Sequence, residues 1–264
     1  MKNFIVFLFL LPTFLFAESY WQQDVHYSID AKLNPDSATV TGKETLIYTN
    51  NSPDTLKVAY FRLYWNAFTE GSYGQEAGFR NKQYWWNTSG GTTIRNFTFI
   101  KGGKETTPVY TIDNTIMEVQ LPEPIFPGDS VKFYFEWQGK VLEGGNRTGH
   151  EGRDFNIAQW YPQIAVYDKY GWDKNQYLTS AEFHNEYGTF DVSVSVPKSF
   201  LVGFTGSLVN PEDVYPDSVR NKLKESMGRD FTTQIADYSQ TDWKGADTLY
   251  QTWKIRAEHV TDFA

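Results

Sequence analysis

The chain has 264 residues and no cysteine. No disulfide can form, so an exported form must be stabilised by its hydrophobic core alone. No metal site in it can use thiolate ligands, and a lipid-modified cysteine anchor is excluded. Histidine is scarce as well: His26, His150, His184 and His259 are the whole complement. No two of them stand in the His-x-x-x-His spacing that puts two ligands on one helical face. Residues 150 to 154, HEGRD, begin like a zinc-protease motif, but Asp154 stands where the second histidine should be. The stretch also lies in a glycine-rich loop, 143 to 154, rather than in a helix. Basic residues are outnumbered, 24 Lys and Arg against 32 Asp and Glu, for a net charge of -8. They form no cluster, which argues against a nucleic-acid partner. The Gly-x-Ser-x-Gly elbow, the Walker loop and the dinucleotide fingerprint are all missing. The scattered carboxylates show no pairing that would mark a glycosidase.

Aromatic residues, in contrast, make up 17% of the chain, which favours β structure. The first residues, MKNFIVFLFLLPTFLFAES, place one lysine before an apolar run from Phe4 to Phe16, with small Ala17 next. This reads as a secretory signal peptide, 1 to 17, too short for a comfortable membrane span. A retained membrane anchor is the competing reading. Leu15 departs from the small residue preferred before a cleavage site. No later run is long enough to cross a bilayer. The expected location is therefore secreted or periplasmic.

Residues 18 to 264 read as one β domain. VHYSIDAKL and ATVTGKETLIYTN flank an Asn-Pro-Asp-Ser turn and predict a hairpin. LKVAYFRLYWNAF (56–68) predicts a third strand, and residues 69–91 a long polar-aromatic loop. TTIRNFTFI, TPVYTI, TIMEVQL and VKFYFEWQG follow, separated by turn signals. GTFDVSVSVP (188–197), FLVGFTGSLV (200–209) and TLYQTWKIRAEHV (248–260) predict further strands. One helix is expected, at about 215–228, capped by Asp217 or Ser218 and ended by Gly228. The fold class this implies is all-β: a saddle-like β-sandwich of mostly antiparallel strands with one short helical insertion. In the 69–91 loop, Trp85 and Trp86 are candidate ligand-contacting aromatics, able to stack on sugar rings or seat a partner, or else to fold back and be buried.

The order of segments YTNNSPDTLKVAYFRLYWNAF, GRDFNIAQWYPQIAVYD, FDVSVSVPKSFLVGFTGSL and TWKIRAEHVTDFA resembles the amino-terminal β domain of the aminopeptidase N and leukotriene hydrolase family of zinc metallopeptidases. The resemblance runs from about Tyr20 to Ala264. It implies a non-catalytic domain that packs on a thermolysin-like catalytic domain and lines the peptide cleft. The family's His-Glu-x-x-His and Gly-x-Met-Glu-Asn motifs are not in this sequence. The resemblance therefore implies a fragment that ends before the catalytic domain, inactive alone, with zinc held by the missing part and none by this chain. Its partners would be that catalytic domain and the amino terminus of a peptide substrate. AQWYP is similar to the family's Gln-aromatic-Glu-Pro stretch, whose acidic or amide residue helps hold the substrate's α-amine. The matching position is Tyr161, which brings a phenol and no charge. Gln159 and Tyr161 are thus the implied substrate-binding residues. Placed on a strand, they would share one face toward a cleft, with Trp160 facing the core and Pro162 breaking the ladder. The alternative from a different class is a free-standing secreted β-sandwich that binds carbohydrate or protein through Trp85 and Trp86. A purely structural interaction domain is the third reading.

Overall fold

The computed structural model describes residues 20–80, 88–144, 147–178, 184–235 and 248–264. The expected signal peptide and the loop tryptophans Trp85 and Trp86 lie outside the described residues. The fold is all-β, with several mostly antiparallel sheets and few helices. In chain order the first elements are β1 (Asp24–Asn34), β2 (Thr39–Thr49), β3 (Leu56–Arg62), a 3-10 turn (Tyr64–Phe68) and α1 (Tyr73–Arg80). Then come β4 (Gly91–Lys101), β5 (Lys104–Thr106), β6 (Val109–Asp113), β7 (Ile116–Ile125) and β8 (Ser130–Lys140). Short pieces follow: β9 (Gly149–Glu151), β10 (Asp154–Asn156), β11 (Gln163–Ile164), β12 (Tyr167–Asp168) and β13 (Gly171–Trp172). The chain continues through β14 (Gly188–Pro197), β15 (Ser207–Leu208), α2 (Pro211–Val214), α3 (Asp217–Ser226) and β16 (Tyr250–Val260).

Eight strands form the main sheet in the order β15-β16-β14-β1-β2-β8-β4-β5. A second sheet runs β11-β3-β7-β6. The pair β1–β14 is parallel, and every other pairing between the strands is antiparallel. The long strands alternate buried and exposed side chains, as a sheet with one covered and one solvated face requires. Tyr27, Ile29, Leu46, Tyr48, Phe133 and Phe135 point inward. Phe61 of β3 meets Phe97, Phe133 and Phe135 edge-on, at 6.0, 5.1 and 4.9 Å, and so joins the second sheet to the first. Two glycines make room for tryptophan. A Cβ on Gly42 would lie 2.5 Å from the Trp137 ring, and one on Gly139 would lie 2.6 Å from Trp65.

Four expectations need correction. The 56–68 strand ends at Arg62, and the chain then coils as a 3-10 turn that buries Tyr64 and Trp65. The 69–91 loop contains helix α1, which Ser72 helps to start through its Oγ, an acceptor for the Gln75 amide. The 200–209 strand is reduced to Ser207–Leu208; the apolar residues before it cross the inner face without pairing. The expected helix forms as α3, but its N-cap is Pro216, with no side-chain cap from Asp217 or Ser218, its C-cap is Met227, and a further short helix, α2, precedes it.

Candidate functional site

The stretch from 157 to 162 is where the sequence pattern is hardest to reconcile with a strand, and no strand forms there. Gln159 adopts φ 54°, a left-handed conformation that costs a non-glycine residue about 1 kcal/mol or more. The turn removes the period-two alternation expected of this segment. Trp160 and Tyr161 both enter the core, at 3% and 1% exposure, and Gln159 is itself buried. The shared cleft-facing side expected for Gln159 and Tyr161 is therefore not present. Pro162, which has no N–H to donate, precedes the two-residue strand β11, which pairs with Arg62 and Phe61 of β3.

What these residues do instead is fasten the segment to the last residues of the chain. The Trp160 indole donates to the carbonyl of Phe263 at 2.9 Å and packs edge-on against Trp137. The Tyr161 hydroxyl donates to Asp262 at 2.9 Å. The Gln163 amide donates to the Tyr161 oxygen at 3.2 Å and to the Thr261 carbonyl at 3.1 Å. The Tyr161 ring stands edge-on to Tyr27 and Phe190. Tyr27 in turn accepts the backbone N–H of Ile164 through its hydroxyl oxygen. Ala264 closes the far end: its amide donates to the Thr205 hydroxyl, and its carbonyl accepts the Thr205 amide.

The polar groups in this region are unusually deep. Burial pushes the Asp262 carboxyl up, opposed by the hydrogen bonds it accepts from Tyr161 and the Phe263 amide. Burial also holds the phenols of Tyr27 and Tyr161 well above their ordinary range. Glu44 on β2 points to the same interior. Neither of its oxygens has a hydrogen-bond partner among the described residues, and desolvation raises its carboxyl well above the usual value. Burial without a partner favours the protonated form of this carboxyl. Arg62, at 2% exposure, is ion-paired with Asp173 at 2.5 Å. His184 stands 3.9 Å from the same carboxylate. His150 stacks on Phe155 in the β9–β10 hairpin rather than meeting a second ligand. Among the described residues no three His, Asp or Glu side chains converge to hold a metal.

The tether to residues 261–264 went unseen in the sequence. The nearest signal was the cluster of polar and aromatic residues at Gln159–Gln163, which suggested an unusual role but gave no partner.

No family model matches the chain. No curated protein matches it either. Among solved structures, it is similar to an M1 zinc metallopeptidase from Deinococcus radiodurans, at 15% identity and a TM-score of 0.44, over 89% of this chain and 39% of that one. It is similar at 14% identity and a TM-score of 0.43 to a variant of a two-domain M1 zinc metallopeptidase bound to L-tryptophan, with the same coverages of 89% and 39%. The chain thus spans about two fifths of the length of the structures it matches.

Proposed function

We propose that the chain is a non-catalytic β domain of a secreted, zinc-dependent aminopeptidase-like metallopeptidase, packing on a catalytic domain and lining its peptide cleft. The observation that carries the reading is the buried tie between residues 160–163 and residues 261–263. The stretch that resembles the family's amine-recognising segment is held by the strand end that, in the family, leads into the catalytic domain. A rigid connection of that kind would fix a substrate-facing turn relative to a neighbouring domain. Zinc and the water it activates would belong to the catalytic domain.

Within this reading, Gln159, buried at the turn beside Trp160, is the residue assigned to the substrate's ammonium group. Tyr161, whose hydroxyl is engaged with Asp262 and Gln163, supports it from the core. The test is the kinetics of the natural full-length protein on peptides with free and with acetylated amino termini. Gln159→Ala is expected to raise KM for the free-amine peptide by about 10-fold, the cost of one hydrogen bond to a charged group. The acetylated peptide should be indifferent to the change. An equal effect on both peptides would remove Gln159 from amine recognition.

A further inference from the structure

The solvated face of the main sheet is not a random mixture of polar side chains. Strand register lines them up in rows that cross the strands. One row runs Lys254, Ser193, Asp30, Lys43, Glu136, Asn96, each opposite the next on β16, β14, β1, β2, β8 and β4. The next runs Thr252, Ser195, Lys32, Thr41, Gln138, Thr93 across the same strands. Arg95, at the bulge of β4, reaches the second row and donates to the Gln138 side-chain oxygen at 2.6 Å. All of these but Asn96 and Thr93 line an open depression of about 620 Å³.

The charge on this floor is opposite to that of the chain. The depression is lined by the cations Lys32, Lys43, Arg95 and Lys254 and by the carboxylates of Asp30 and Glu136 alone, in a protein of net charge -8. Glu136 is engaged by Lys43 at 3.6 Å and by the Tyr134 hydroxyl at 2.7 Å. Lys32 rests over the Tyr250 ring at 4.2 Å. Among the described residues neither Lys32, Arg95 nor Lys254 has a carboxylate within ion-pair distance. Between these cations stand the hydroxyls of Ser193, Ser195, Thr41 and Thr252 and the Gln138 amide.

We infer that this face binds an extended acidic polysaccharide lying across the strands. Neighbouring strands are about 4.8 Å apart, so six strands span about 24 Å and present a fresh polar side chain at intervals comparable to the length of one pyranose ring. Hydroxyl and amide groups that both donate and accept suit sugar hydroxyls. The cations without carboxylate partners suit uronate carboxylates. The one aromatic among the described lining residues, Trp137, is buried at 1% exposure and offers no ring face for stacking on uncharged sugars, so charge rather than stacking selects the ligand. The site uses none of the residues in the 159–163 tie, and it stands or falls independently of the peptidase reading.

The test is affinity electrophoresis and calorimetry of the purified chain with polygalacturonate, with dextran as the neutral polymer and poly-L-glutamate as the acidic polypeptide. Binding to polygalacturonate is expected, weakened by added salt, with none to dextran. Lys32→Glu with Arg95→Glu should weaken it at least about tenfold. Both residues are exposed, so the melting temperature should hold; Lys254→Ala gives a second, milder loss if it does not. No binding to polygalacturonate would overturn the inference. So would equal binding to poly-L-glutamate, which would indicate charge alone, or affinity unchanged in both variants.

Discussion

Glu186 is buried where the backbone amides of Gln23 and Tyr167 donate to it, yet burial outweighs them and pushes its carboxyl up to about 7. Asp168 nearby adds to the rise. Because the folded value lies above the unfolded one, near 4.5, the folded state holds the proton more tightly. The stabilisation is complete below about 4.5 and is lost as pH rises toward about 7. The difference is worth roughly 3 kcal/mol at most. Glu44 and Asp262, raised by burial, act in the same sense. Half-buried Asp129, held below its ordinary value by the hydrogen bond from the Lys101 ammonium, acts in the opposite one. Melting curves at pH 5 and pH 7.5 should show a lower Tm at the higher pH, and Glu186→Gln should flatten that difference. An unchanged slope in the variant would assign the pH dependence elsewhere. None of this was legible in the sequence, where a glutamate in HNEYG gives no sign of burial. The same holds for Gln159. A left-handed residue leaves no mark in a hydropathy pattern, so two aromatics that seemed to alternate both turned inward.

Elements were more legible than sites. β1, β2 and β8 alternate along their whole length and β14 and β16 over part of theirs, because each has one face on the core, and they formed where the pattern put them. Elements without that two-sided environment were misread. Residues 200–204 are apolar throughout, as in a buried strand, but they serve as a cover over an apolar cavity of about 140 Å³ rather than joining the sheet. Helix α1, eight residues with two glycines, has too weak a pattern to stand out from a loop. Glycine placement was read only as turn chemistry, whereas Gly42 lies in mid-strand against the face of Trp137. Gly42→Ala should therefore destabilise by about 1–3 kcal/mol through overpacking, despite the usual gain from replacing glycine in a strand. Urea denaturation checks this. A neutral or stabilising result would mean that the Trp137 ring shifts aside at little cost.

At the scale of the whole molecule, the sequence supported an all-β fold of mostly antiparallel strands, and the structure has it. It could not show how the middle of the chain meets its end. Trp160 and Phe263, or Tyr161 and Asp262, are about a hundred positions apart, and contacts of that range have no periodic signature. That junction, which ties Trp160, Tyr161 and Gln163 to residues 261–263, is the feature on which the proposed function rests. The measurement that tests this account most directly is the intact mass and amino-terminal sequence of the natural product, with its transcript read beyond the codon for Ala264. The account predicts a secreted polypeptide well above 30.5 kDa, beginning after Ala17, with a His-Glu-x-x-His motif downstream. A mature product that ends at Ala264 would contradict it and leave a free-standing β domain.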